Sequence, residues 1–178
     1  MRIVLLYRRL RFGYPFMRIA LAEGNFAIVD PEDYLELCAY SWQLKKCPHT
    51  SYAWRGLIRE GRKITLYMHR EIMNPPKGTL IDHINHNGLD NRKANLRFAT
   101  FAQNNWNSVK PKGAGSRFRG VRLHKPSGRW RAVLCHKGAH IHLGYFDTDI
   151  EAARAYDAEA KKLRGPFAVL NFDGHPNV

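Results

Sequence analysis

The chain has 178 residues, 29 of them Lys or Arg against 15 Asp or Glu, for a formal charge of +14 and a pI near 10.1. That imbalance predicts a polyanionic partner, because basic side chains displace the counterions condensed on phosphates, although ribosomal and membrane-surface proteins share it. Apolar residues at 44% exclude general disorder, and no run reaches the roughly 18 apolar residues that would cross a bilayer.

Met1-Arg2-Ile3-Val4-Leu5-Leu6 is too short for a signal-peptide core, and Arg8, Arg9 and Arg11 follow at once. Met17-Arg18-Ile19 echoes Met1-Arg2-Ile3, so residues 1–16 read as an extension with no assigned role. Residues 17–73 read as a compact α+β segment. Asp30-Pro31-Glu32-Asp33 has the form of a helix start, with Asp as N-cap and Pro at the first helical position, and Leu35, Leu37 and Cys38 as its apolar side. Strands follow near 42–45, 51–58 and 62–68, the last two joined at Glu60-Gly61. Asn74-Pro75-Pro76-Lys77-Gly78 then breaks the chain, since paired prolines continue neither helix nor ladder.

Residues 79–84 read as a strand, His86-Asn87-Gly88 as a turn and 96–99 as a second strand. Thr100-Phe101-Ala102-Gln103 is a capping box, in which Thr caps the N3 amide and Gln reaches back, so a helix starts there with Asn104 in its first turn. Lys110-Pro111-Lys112-Gly113-Ala114-Gly115-Ser116 is a short linker and the expected main domain boundary. Beyond it, strands are expected near 118–124, 130–136 and 140–145, with turns at Pro126-Ser127-Gly128 and Lys137-Gly138-Ala139. A second capping box, Thr148-Asp149-Ile150-Glu151, opens a helix that stops at Gly165-Pro166 and whose apolar face is Ala152, Ala153, Tyr156, Ala160 and Leu163. The fold class is α+β. Three cysteines, Cys38, Cys47 and Cys135, are an odd number without a Cys-x-x-Cys pair. They argue against a disulfide framework or zinc knuckle, suit a reducing cytoplasm, and read as small, partly buried residues.

The chemistry concentrates where Asp82 and His83 stand side by side. Between Asp90 and Asp147 there is no acidic residue, whereas Arg92, Lys93, Arg97, Lys110, Lys112, Arg117, Arg119, Arg122, Lys125, Arg129, Arg131 and Lys137 all fall there. Phosphodiester hydrolysis needs a poised nucleophile and neutralisation of charge on the phosphate and leaving oxygen. A neutral imidazole can take a proton from water near pH 7, and carboxylate and amide oxygens are suitable ligands for Mg²⁺. Adjacent strand residues point to opposite sides, so a shared metal demands a twist or bulge at the strand end.

Asp82-His83-Ile84-Asn85, then Leu89-Asp90-Asn91-Arg92, Asn95-Leu96-Arg97, Ala99-Thr100, Gln103-Asn104 and Asn107 resemble the HNH endonucleases, in particular the phage and intron-associated homing type. The resemblance covers roughly residues 17–108, because Ala27 to Tyr34 and Tyr67-Met68-His69-Arg70 also look like that subgroup. It implies a ββα-metal unit in which the first strand bends at the site. By position it makes Asp82 a metal ligand, His83 the general base, and Asn95 the asparagine that pins the loop through backbone hydrogen bonds. Asn104 stands where the family usually has histidine and is implied as a second ligand, favouring Mg²⁺ or Mn²⁺ over a softer metal. His69 can contact DNA, support the site or be structural.

Ser116 to Arg122, Gly128 to Leu134, His142 to Thr148, Glu151 to Ala160 and Asn171-Phe172 resemble the plant APETALA2/ethylene-response DNA-binding domain over about 116–172. That resemblance implies a three-stranded antiparallel sheet backed by one helix, the sheet entering the major groove. Arg119, Arg122, Arg129, Trp130 and Arg131 fall on contact positions; His142 stands where the plant proteins carry tryptophan, and Val133 and Cys135 replace the usual Glu and Arg.

The expected layout is an extension over 1–16, an HNH domain over 17–109, a linker over 110–116 and the DNA-binding domain over 117–173. The expected partner is double-stranded DNA in the cytoplasm of a bacterial or phage-infected cell, with no membrane role and a monomer favoured. The rivals are a transcription regulator with a decayed nuclease domain and an RNA-binding, ribosome-associated protein. The target site, nicking versus double-strand cleavage, and intron-encoded versus free-standing origin stay open.

Overall fold

The structure, a computed structural model, describes residues 1–108 and 116–172. The linker expected at 110–116 lies outside them apart from Ser116. The chain divides into two compact units, Met1–Ala99 and Thr100–Val178, each a mixture of helices and antiparallel sheets, as an α+β chain requires.

In the first unit a helix over Arg2–Phe12 (α1) precedes strands Met17–Ala20 (β1) and Phe26–Val29 (β2), which pair antiparallel. A single turn of helix, Tyr34–Leu37 (α2), leads to the sheet of Gln43–Lys46 (β3), Ser51–Arg59 (β4) and Arg62–Tyr67 (β5), in that spatial order. Helix Met68–Met73 (α3) follows directly, and Leu80–His83 (β6) pairs with Leu96–Ala99 (β7). The core is Ile19, Ala27, Val29, Leu37, Trp42, Ala53 and Met68. Trp42 satisfies its one polar group by donating Nε1–H to the Leu37 carbonyl at 2.8 Å.

Three expectations are corrected here. Asp30 caps no helix: α2 begins at Tyr34 without a side-chain cap, and the Asp30 carboxylate instead accepts the Lys93 amide at 2.7 Å. A long-range partner outbids the local one, and the helix shrinks to a turn whose Leu35 is exposed and Leu37 buried. The strand expected to Met68 stops at Tyr67, because Met68 turns into a helix that fills the core and ends at Asn74, in the left-handed region at φ 40. The extension, for which the sequence implies no particular structure, is helical over α1 with no residue of that helix buried, while Phe16 beyond it is buried. Cys38 and Cys135 are exposed and only Cys47 is half-buried, all three as free thiols.

In the second unit the helix Phe101–Trp106 (α4) starts with the expected capping box, Thr100 Oγ1 accepting the Gln103 amide and Gln103 Oε1 accepting the Thr100 amide. Val121–His124 (β8), Arg129–His136 (β9) and Ala139–Phe146 (β10) form an antiparallel sheet with β9 central. The helix Asp149–Arg164 (α5) lies on it through Ala152, Ala153, Tyr156 and Ala160, all buried. Small side chains bring the helix close, while burial of Val121 and Leu134, worth about 1.5–3 kcal/mol each, supplies more of the stabilisation than the alanines. Gly120, at φ +73, is required: a Cβ there would come within 2.1 Å of the Tyr156 ring. The first strand begins at Val121 and not near 118, because Asn171 takes the Arg119 backbone as its own partner (Arg119 N–H to Oδ1, 2.7 Å; Nδ2 to Arg119 O, 3.3 Å). Asp157 in turn accepts the Asn171 amide at 2.8 Å.

Candidate functional site

Strand β6 runs into the site with Asp82 opposite Arg97 and His83 opposite Leu96. Asp82 and His83 are 5% and 6% exposed. Across the ladder, Nε and Nη2 of Arg97 both lie 2.7 Å from Asp82 Oδ2. Breaking a pair this buried typically costs about 3–5 kcal/mol, so Arg97 fixes where the carboxylate points.

His83 sits in a wall of rings. Its centroid is 5.0 Å from His69, edge to face, and 5.8 Å from Tyr52, while Tyr67 stacks on His69 at 5.5 Å. Burial lowers the His83 imidazole below its ordinary value, opposed by Asn91, Asp82 and Asp90 beside it. Burial likewise pushes His69 down to about 3, helped by His83 and Arg70. Both rings are therefore neutral at pH 7. Since His69 takes up its proton more readily in the unfolded chain, stability is complete above about 6.5 and falls as pH drops from there toward 3. His69→Phe, which keeps a ring and removes the titration, is expected to shrink the loss of Tm between pH 7 and pH 4 by several degrees. Identical pH dependence in the two proteins by thermal denaturation would refute the assignment.

The loop from Ile84 to Asn95 is closed in large part through Asn95. Asn95 Oδ1 accepts the Asn85 amide at 3.0 Å and Nδ2 donates to the Asp90 carbonyl at 2.8 Å, while the Asn95 carbonyl accepts the Ile84 amide at 2.9 Å. Asp90, 3% exposed, accepts from Arg92 at 2.7 and 2.6 Å and from Asn85 Nδ2 at 2.9 Å. Tyr14, in the N-terminal extension, stacks under the Arg92 guanidinium at 3.6 Å. The loop is also tied to β2, Ile28 N–H donating to Leu89 and Asn91 N–H to Ile28, both at 2.8 Å. On its other side the loop lies against β4, which Gly88 permits, because a Cβ there would fall 2.5 Å from the Ser51 carbonyl and 2.6 Å from the Tyr52 ring. Asn91, 0% exposed, places Oδ1 3.4 Å from His83 Nε2.

In the second unit, Val121, Ala132 and Leu134 face α5, so the alternate residues form the outer face of the sheet. Register sets Arg122 opposite Arg131, Arg131 opposite Tyr145 and Val133 opposite His142. Two arginines directly opposed repel each other, and an anion between them relieves that repulsion. The Tyr145 ring lies 4.9 Å from His142 and 5.0 Å from His124. Arg129 pairs with Asp147 at 3.0 Å in an exposed contact; such pairs contribute at most about 1 kcal/mol, so exchanging the carboxylate for a phosphate is cheap. The Arg119 guanidinium donates to the Ser108 carbonyl. Trp130 alternates onto the inner face and packs against Val121, Ala132, Ala152 and Ala153. The acid-free stretch is less unopposed than its sequence implies: Arg92, Lys93, Arg97, Arg117 and Arg129 pair with acids lying outside it.

A family model described as HNH endonuclease matches residues 72–106, and one described as AP2 domain matches residues 116–166. Over 157 residues the chain is 31% identical to an uncharacterized HNH endonuclease of Acanthamoeba polyphaga mimivirus, covering 88% of this chain and 80% of that protein. The chain belongs to the HNH endonuclease family. Its C-terminal part is 43% identical over 63 residues to APETALA2-like protein 2 of Oryza sativa subsp. japonica, covering 35% of this chain and 14% of that one. It is also 48% identical over 68 residues to ethylene-responsive transcription factor 3 of Nicotiana tabacum, covering 35% of this chain and 30% of that one. No solved structure matches.

In this member of the HNH endonuclease family the first unit brings together Asp82, His83 and Asn95. Asn104 lies in α4, half-buried, its amide donating to the Thr100 carbonyl at 3.0 Å, and belongs to the second unit. Among the described residues no group of three or more His, Cys, Asp or Glu is arranged to hold a metal ion. From the sequence Arg97 stands in the motif without a role and Asn91 reads only as a hydrogen-bonding residue of the turn, while Tyr52 carries no signal. Pairing the two expected strands would have found Arg97, since the register that sets His83 against Leu96 sets Asp82 against Arg97. Nothing local marks Asn91 or Tyr52, which reach His83 only through the fold.

Proposed function

We propose that this protein is a metal-dependent DNA endonuclease of the homing type, with a catalytic domain over 17–109 and a DNA-gripping domain over 117–173. The observation that carries the reading is a buried, neutral His83 beside an Arg97-oriented Asp82 at the end of β6. A neutral imidazole takes the proton from the attacking water. Asn95 keeps the loop closed behind it, and the half-buried wall of Tyr52 and His69 restricts the ring's motion. The motif positions assign Asp82 and Asn104 to the metal. They offer two hard oxygen donors, which suit Mg²⁺ or Mn²⁺ because such ions retain waters and bind substrate phosphate. When bound, the ion neutralises charge on the phosphate and the leaving oxygen.

Cutting of plasmid DNA with Mg²⁺ or Mn²⁺, and its loss in EDTA, tests this reading. Asp82→Asn, which keeps the shape beside Arg97, is expected to raise the Mg²⁺ concentration needed for half-maximal cutting by about 10–100-fold. Activity that persists in excess EDTA removes the metal from the mechanism. A correctly folded chain that binds DNA but never cuts it returns the protein to the regulator class.

The outer sheet face is the proposed grip, through Arg122, Arg129, Arg131 and His142, together with Arg119 just ahead of the first strand. Each phosphate neutralised there should add about 0.9 to the magnitude of the log K against log[salt] slope. Arg122→Ala should weaken duplex binding and lower that slope by about one contact, while Lys161→Ala on the exposed side of α5 should leave both alone. Equal effects from the two variants would move the grip off the sheet.

A further inference from the structure

We infer that Asn91 is a positioning residue for the reaction: it accepts a hydrogen bond from His83 Nε2 and so leaves Nδ1 as the proton-accepting atom. The inference rests on the nuclease reading above and concerns the same histidine. A neutral imidazole carries one N–H and one lone pair, and the partner of one nitrogen decides which is which. Asn91 Oδ1 lies 3.4 Å from Nε2, a long contact of the kind that tightens when substrate is bound.

Three observations make the amide a fixed reference and not a loop ornament. Its backbone is clamped, Asn91 N–H donating to the Ile28 carbonyl at 2.8 Å next to the Ile28–Leu89 bond of equal length. Its side chain is completely enclosed. Its Nδ2, moreover, is buried without a hydrogen-bond partner. An unpaired buried amide N–H is destabilising, so loop stability does not account for asparagine here; an apolar side chain of similar size would serve the fold at least as well. What asparagine adds is the acceptor facing His83. A carboxylate would accept equally well, but close to Asp82 and Asp90 it would add a third negative charge beside a base that must be neutral to work. His69 at 5.0 Å and Tyr52 at 5.8 Å also pack against the ring, and the hydrogen bond to Asn91 favours one flip and one tautomer of it.

The test uses the full chain. Imidazole ¹⁵N NMR is expected to show His83 with its proton on Nε2 at neutral pH; a proton on Nδ1 overturns the proposal whatever the activity. Asn91→Leu, which removes acceptor and donor together, should lower kcat on cleavable DNA by about 10–100-fold with KM and Tm close to wild type. Asn91→Asp, which restores the acceptor alone, should recover at least about tenfold of that loss. A kcat for Asn91→Leu within about threefold of wild type, a loss expressed in KM, or an Asp variant as slow as the Leu variant each refutes the assignment. Wild-type protein that cuts nothing defeats the nuclease reading instead, and the NMR result still decides the role of Asn91.

Discussion

His83→Ala is expected to lower kcat by about 10²–10⁴-fold while the affinity for DNA stays nearly unchanged. Affinity for a polyanion comes mainly from charge, and His83 is neutral and 6% exposed, so it contributes little to binding. Its effect is confined to the proton transfer. Burial lowers its protonation midpoint, so the base is available at neutral pH, and acidification toward and through that midpoint should progressively abolish turnover. The check is single-turnover cleavage alongside an equilibrium shift of the same duplex. Wild-type turnover by the variant would take His83 out of the mechanism. A parallel loss of binding would mean that the ring instead supports the surface the DNA rests on.

Much of the fold was legible because its signals are local. Both capping boxes form as Thr100/Gln103 and Thr148/Glu151 dictate, β7 runs over Leu96–Ala99 as expected, and the turns at Glu60-Gly61 and Lys137-Gly138 take the positive φ values that glycine-containing turns need. The failures share one cause, a distant partner overriding a local preference. Asp30 left its helix for the Lys93 amide, residue 119 was drawn out of the sheet by Asn171, and Met68 was pulled from strand to helix by the core it fills. The adjacency of Asp82 and His83 is visible in the sequence, but the reason they sit still is not. Arg97 arrives through strand pairing, and Asn91, Tyr52 and His69 arrive through the packing of the loop on β2 and β4. Periodicity could not separate Trp130 from the arginines beside it, because a half-buried indole suits either face of a sheet.

Asn95→Ala should produce the largest loss of stability in the first unit. Its side-chain amide bridges the loop from the Asn85 amide to the Asp90 carbonyl, and the residue is 6% exposed. Truncation leaves a backbone donor and a backbone acceptor without their partner where water has little access. Each such group costs about 1–3 kcal/mol, so the sum is about 2–6 kcal/mol, and in a unit of this size even the lower figure lowers Tm by at least about 8 °C. Asn95→Asp retains the acceptor for Asn85 but turns a second oxygen toward the Asp90 carbonyl, so it should destabilise as well, leaving the Asn85 amide protected. Hydrogen exchange separates the two: the Asn85 amide should exchange rapidly in Asn95→Ala and slowly in Asn95→Asp. Since the same loop carries Asn91 to His83, the Ala variant should also lose turnover at temperatures well below its own Tm. A wild-type melting curve together with an Asn85 amide that stays protected in Asn95→Ala would show that the loop is closed by other contacts, and that Asn95 does not act by holding it.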